Sequence, residues 1–500
     1  MGLTMNEQTP LLVSREACPI SVRRKASYLP RWRPIWETWK IPILCYTFAF
    51  CVDGSENMRS TPRTRLFEII LCRRYYAALR AEDGPPWAPQ SDIPEHMCKV
   101  PEVQSAVVNA KLWFKLVESL FALILAIPFG KLSNTKGRRF VLFVGITGQI
   151  LSESWILTVC HFDDIFPFGL LYAASIFKSL GGGDMVLSAI AHAILADVVS
   201  EDKRAQAFFH MASVSLVSEV IVPPLGSMLM QIRGVYAPLL CVFPLQLLAI
   251  IGLAIAPHSI DAMKGHHLDQ PDIEELPTGF STKAQGIRAI VTAVFHRLRT
   301  NWTLIRANGP TIIATISFLA TYIAKDTLDF LVQYVSKRFN WSLAKANYLI
   351  SFRALTNLLL FLFVLPTITK ILSTQHSMSP PKIDLWISRI SSLFGILGPV
   401  LLGLAPTPAL MVLSLILFTL SLGYPHAIQS YGTSLVGPVN VAPFYSLLAM
   451  GRIAGTLVAS PLLAGAFNLG LRVGGVALGL PFYVAAGLFG VGAWGAWRLG

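Results

Sequence analysis

Apolar stretches of bilayer length recur about twelve times along the chain, at 41–59, 106–129, 139–160, 167–196, 205–230, 235–257, 309–332, 343–366, 384–404, 407–434, 442–468 and 475–497. A helix rising about 1.5 Å per residue needs on the order of 20 mostly apolar residues to cross a hydrocarbon core roughly 30 Å thick. Each stretch therefore predicts a spanning helix. Composition agrees, with 53% hydrophobic and 14% charged residues, against about 25% charged in a soluble domain. The net charge of +13 does not point to nucleic acid, because the basic residues gather at the ends of apolar segments and form no single solvated patch.

Orientation follows from lysine and arginine in the short loops. Arg15, Arg23, Arg24, Lys25, Arg31, Arg33 and Lys40 precede the first span, and Lys131, Lys136, Arg138 and Arg139 follow the second, whereas 161–166 and 231–234 hold only Arg233. Both termini are expected in the cytoplasm. The expected organisation is a disordered cytoplasmic tail at 1–40, a six-helix bundle at 41–257 with an outer loop at 60–105, a cytoplasmic linker at 258–308 and a second six-helix bundle at 309–497. The first apolar run begins only near Ile41, so no cleavable leader is read. Glu7-Gln8-Thr9-Pro10-Leu11-Leu12 fits an acidic dileucine sorting pattern, which leaves a vacuolar or endosomal membrane beside the plasma membrane. In the linker, Ile287, Ile290, Val291, Val294 and Leu298 recur at helical spacing, as in an interfacial helix or a plain connector.

The two bundles show traces of duplication. Pro128 closes the second span and Pro366 the eighth, an offset of 238 that also separates Pro223 from Pro461. These matches pair span two with eight and five with eleven, as a doubled six-helix unit requires.

Between spans two and three lie Gly130, Leu132, Asn134, Gly137, Arg138 and Arg139. With the twelve spans, they resemble the major facilitator superfamily pattern G-x-L-x-D-x-x-G-R-R/K, more narrowly its fungal multidrug and secondary-metabolite branch. Asn134 stands where that family usually has aspartate. In similar proteins the residue matching Asp197, which precedes Arg204, pairs with an arginine of the first loop, here Arg138 or Arg139, as a cytoplasmic gate. Pro223 and Gly226, with Ser218 and Ser227 as small substitutes, resemble part of an antiporter motif; proline permits a kink and small residues allow close helix approach. The resemblance implies two pseudo-symmetric bundles around a central site reached alternately from either side.

A charge at bilayer depth costs at least about 2.5 to 3.5 kcal/mol on insertion scales and so reads as functional by default. Lys111, Lys115 and Glu118 share one face of span two. Lys178 and Asp184 lie in span four, Glu219 in five, Lys325, Asp326 and Asp329 in seven, Arg353 in eight and Arg452 in eleven. The resemblance places these spans around the cavity, whereas Glu153 and Arg389 fall outside it. Asp53 and Glu56 either sit at the cavity mouth or end the first helix. Asp184, Glu219 and Asp329 are the preferred proton carriers, static ion pairs being the alternative. Trp113, Phe114, Tyr322 and Tyr424 would suit a flat organic ligand. His192 and His426 read as packing residues.

No metal or cofactor is expected, since His266-His267 lacks neighbouring ligands and no phosphate loop occurs. Gly181-Gly182-Gly183 reads as close helix packing. Cys72 and Cys98 share the outer loop and so become candidates for a disulfide. Asn340-Trp341-Ser342 is an outer glycosylation sequon, whereas Asn301-Trp302-Thr303 should face the cytoplasm. The reading is a monomeric, proton-coupled carrier of a small organic molecule. Export of an amphipathic compound is the first choice, and uptake of a nutrient or a non-transporting sensor the alternatives. Neither G-x-S-x-G nor H-E-x-x-H supports an enzyme.

Overall fold

The computed structural model describes residues 32–83, 93–199, 201–255, 309–375 and 377–499, with some side chains outside that set. The dileucine pattern, Asn301, His266-His267 and the linker helix lie outside the described residues. All regular structure among those described is helical. Nine of these helices are long and apolar enough to cross a membrane. The first, second and seventh spans are the ones carrying clustered charges, on Trp32–Asp83, Pro101–Lys136 and Gly309–Lys325.

The reading of 60–105 as a loop is corrected by the first helix, which runs 52 residues from Trp32 to Asp83, about 78 Å at 1.5 Å per residue. Hydropathy stops near Arg59, but that side chain is only 2% exposed and is paired with Glu56 and Glu153. A charge satisfied inside the bundle does not oblige the helix to end. Past the bilayer the helix joins a short 3-10 turn, Glu95–Lys99, through the disulfide Cys72–Cys98. Buried Glu68 gathers Lys99 at 2.7 Å, Gln104 at 2.6 Å and Arg65 at 2.5 Å, making this outer cap a polar core of its own.

The fourth span is two helices, Ala173–Leu180 and Gly183–Val198, broken where Gly182 and Gly183 take positive φ of 87° and 71°. Gly181 does serve packing: a Cβ there would lie 2.7 Å from the Cα of Gly145 on span three. The seventh span changes to 3-10 winding over Asp326–Phe330 and then continues to Phe339. Neither Pro128 nor Pro366 closes its span. The second helix continues to Lys136, and the eighth passes through a π segment at Leu360–Val364 before Leu365–Thr374. Backbone is helical throughout Gly423–Val473, yet a Cβ on Gly432 would meet Phe444 at 2.7 Å. Twelve residues of straight helix rise about 18 Å, so the chain doubles back between these positions and spans ten and eleven remain distinct.

Two of the helix pairs that join the halves make matching contacts. Asn109 on span two accepts from Asn468 on span eleven at 2.8 Å, and Asn347 on span eight donates to Ser227 Oγ at 2.9 Å and to the Pro223 carbonyl at 3.0 Å on span five. Asn109 and Asn347 are again 238 residues apart, the offset of the prolines, so the duplication extends to the contacts that join the halves.

Candidate functional site

Charges read from sequence as scattered over many spans assemble into three groups. Within the first bundle, Lys178 lies 2.6 Å from Asp184, 3.3 Å from Glu118 and 3.7 Å from Glu56, and Gln149 donates to Asp184 at 2.6 Å. Arg59 and Arg63 extend the group to Glu56 and Glu153. Glu153 is thus no outlier, since it reaches inward from span three, and Glu56 sits in the network and not at a helix end. Arg59 and Arg63 were missed because they follow the apolar run. Their spacing of three and seven from Glu56 on one helix was the available signal.

The second and third groups bridge the halves. Lys115 lies 2.6 Å from Asp329 and 3.6 Å from Asp326, while Lys111 donates to Gln333 at 3.2 Å. Arg353 on span eight is ion-paired with Glu219 on span five, and Ser351 donates to the Glu219 carbonyl at 3.2 Å. Lys115 and Arg353 also share the 238 offset, so each repeat contributes one cation to a carboxylate of the opposite half. Beside the Lys115 group lies a cavity of about 280 Å³ lined by Arg63, Phe67, Phe114, Lys115, Asp326 and Phe330, among others.

The polar contacts between halves share a direction. From Lys115 and Arg353 they run toward the side away from the termini, through Asn109, Asn347 and Gln333, to Glu95, which accepts from the Leu343 amide at 2.7 Å, and Lys337, which donates to the Lys99 carbonyl. Among the described residues no such contact joins the halves on the terminal side. Polar contacts thus join the halves at one end of the cavity and, among the described residues, not at the other.

On the terminal side Arg138 pairs with Asp197 at 2.6 Å, while Arg139 donates to the Ala254 carbonyl at 2.7 Å. Of the two arginines considered, Arg138 takes the aspartate. Gly137 joins the second and third helices at φ 94°, which a glycine adopts without strain; Gly130 has open space where a Cβ would stand. The side chains of Asn134 and Arg204 lie outside the described residues. Gly226 packs on Met58 of the first span, a Cβ there meeting its sulfur at 3.2 Å. Pro461 follows Ser460 on the cavity wall.

Other expected residues lie elsewhere. Trp113 is 54% exposed and Tyr424 is fully buried with its hydroxyl on the Gly492 carbonyl, so neither lines the cavity. Arg389 ties span nine to the carbonyls of Ala496 and Leu499 and has a packing role. His192 hydrogen-bonds the Ser188 carbonyl, and His426 packs edge-on against Phe361. Lys325 does not join Asp329 despite its helical spacing. Arg452 instead lies over Tyr322, with Cζ 4.1 Å from the ring centroid.

The Major Facilitator Superfamily profile matches residues 116–438. This chain belongs to that superfamily. It is 34% identical over 460 residues to the MFS efflux pump atnC of Emericella nidulans, covering 90% of this chain and 85% of that one. The MFS-type transporter avaK of Aspergillus versicolor is 25% identical, with 93% of both chains covered. A D-xylose-proton symporter shares the fold at TM-score 0.60 and 10% identity, covering 92% of this chain and 97% of its own. The chain is a multi-pass membrane transporter of the fungal branch read from its loop motif.

Proposed function

We propose that this superfamily member is a proton-coupled exporter of an amphipathic organic compound, a xenobiotic or secondary metabolite, acting as a monomer by alternating access with both termini in the cytoplasm. The observation that supports this reading is the one-sided bridging of the halves among the described residues, with ion pairs near the cavity and further polar contacts only on the side away from the termini, as in a carrier open toward the cytoplasm. The efflux-pump names of the fungal relatives support export, from the cell or into a vacuole.

Glu219 and Asp329 each hold a cation of the opposite half. A proton loaded on either would neutralise the carboxylate, release its partner and loosen one bridge, biasing the halves toward the other state. Asp184 would tune the first bundle through Lys178. Asp53 joins these candidates because its carboxylate accepts from the Ser215 hydroxyl and has no lysine or arginine within ion-pairing distance among the described residues. The pair of Arg138 with Asp197 would gate the cytoplasmic side.

Cells producing the protein should accumulate less of at least one compound from a panel of toxic amphipathic dyes and metabolites, and a protonophore should erase the difference. Raised accumulation would identify an importer. Glu219→Gln and Asp329→Asn should each abolish gradient-driven flux while leaving a monodisperse protein, and normal pH-dependent flux in both variants would defeat the coupling assignment.

A further inference from the structure

Within the spans Arg59, Lys115, Lys178 and Arg353 each lie against a carboxylate, and Lys111 and Arg389 rest on amide or carbonyl oxygens. Lys325 and Arg452 have no carboxylate within ion-pairing distance among the described residues. Lys325 is exposed although it stands inside the seventh span, one helical turn beyond Tyr322. Arg452, from the eleventh span, donates from Nη2 to the Tyr322 hydroxyl, and its Nε is buried without an acceptor. Tyr322 and Lys325 share a face of the seventh span at a spacing of three, so Arg452, which lies against Tyr322, and Lys325 stand on neighbouring parts of one wall. His426 on the tenth span lines a cavity with Gln429, Ser430, Thr433 and Tyr445. Asp326, the sequence neighbour of Lys325, is engaged by Lys115 and by the Thr456 hydroxyl at 3.1 Å.

We propose that Lys325 and Arg452 form an anion-binding subsite that receives a carboxylate of the transported compound. The proposal rests on the reading of the chain as a carrier of an amphipathic organic molecule and adds the charge that this molecule bears. An unneutralised cation at bilayer depth carries a large insertion cost, which an incoming anion offsets. Tyr322 holds the guanidinium of Arg452 by hydrogen bond and ring face, which orients its fork, and the orphan Nε–H is one prong of a bidentate pair with a carboxylate. Lys325 adds a mobile point charge, and the amide and hydroxyls of span ten offer donors to the remaining polar atoms.

The test uses the purified full chain in detergent, with pyrenebutyrate and its methyl ester as a matched pair of probes differing only in charge. Tryptophan quenching should show the acid binding at least about tenfold tighter than the ester. Lys325→Gln and Arg452→Gln should each remove most of that preference while leaving ester binding unchanged, and Arg452→Lys should keep it in part. Equal binding of the two probes, binding of neither, or an equal loss of both in the variants would overturn the subsite. Gradient-driven flux in reconstituted vesicles separates the two readings. Flux without acid preference sinks only the subsite, whereas acid preference without flux of any compound sinks the carrier reading and leaves an anion site.

Discussion

Arg59 is among the largest fully buried side chains, and it is charged. It persists at membrane depth because Glu56 accepts from Nε at 3.0 Å and from Nη2, while the Glu153 carboxylate lies 3.0 Å from Nε. Removing one member of such a pair leaves an uncompensated buried charge and costs about 3 to 5 kcal/mol. Arg59→Gln should therefore lower the thermal midpoint in detergent sharply, and Arg59→Gln with Glu153→Gln should be less damaging than the two single changes summed, because neither charge is then orphaned. Sequence reading marked Glu153 as a misfit and passed over Arg59. Both follow from one cause: a hydropathy pattern scores each residue alone, whereas a buried ion pair is a property of two residues 94 positions apart. The pairing of Asp197 with an arginine was legible, since a recognisable loop motif fixes both partners in advance.

Helices one, two and seven carry clustered charges and line most of the cavity. They supply Glu56, Arg63, Lys111, Lys115, Asp326 and Asp329 to its lining. A helix facing water on one side and protein on the others can carry charges that a lipid-facing helix cannot. The same logic lets the first helix outrun the bilayer and enter the outer cap, where a 26-residue separation is closed by Cys72–Cys98. Loop-closure entropy makes such a link worth about 3 to 4 kcal/mol. Cys72→Ser should lower the unfolding midpoint by a corresponding amount and abolish the mobility difference between reduced and non-reduced samples; an unchanged midpoint would show that the buried Glu68 cluster suffices without the link. A shared place in the expected outer loop nominated this cysteine pair, but nothing in the sequence indicated the helical cap that holds it.

At the scale of the molecule, the halves are joined twice by the same device. Asn109 and Asn347 make the side-chain hydrogen bonds, and Lys115 and Arg353 make the ion pairs, each couple at the repeat offset. Rocking of one bundle on the other must break the outer contacts of both seams. A cysteine pair introduced at 109 and 468 should cross-link readily, keeping the halves joined after cleavage at a protease site inserted between them, and should arrest flux, whereas either single cysteine should not. Flux that survives cross-linking would show that these outer ends do not separate during transport.

Length and apolar periodicity determined that the chain crosses a membrane about twelve times, because bilayer thickness leaves a chain of this composition few alternatives, and the repeat offset together with the family resemblance implied two bundles. The loop motif fixed the family by local chemistry. Which charges neutralise one another, which cations stand alone and which side of the cavity is bridged were decided only in the folded molecule, because each depends on distances between helices that no local pattern encodes.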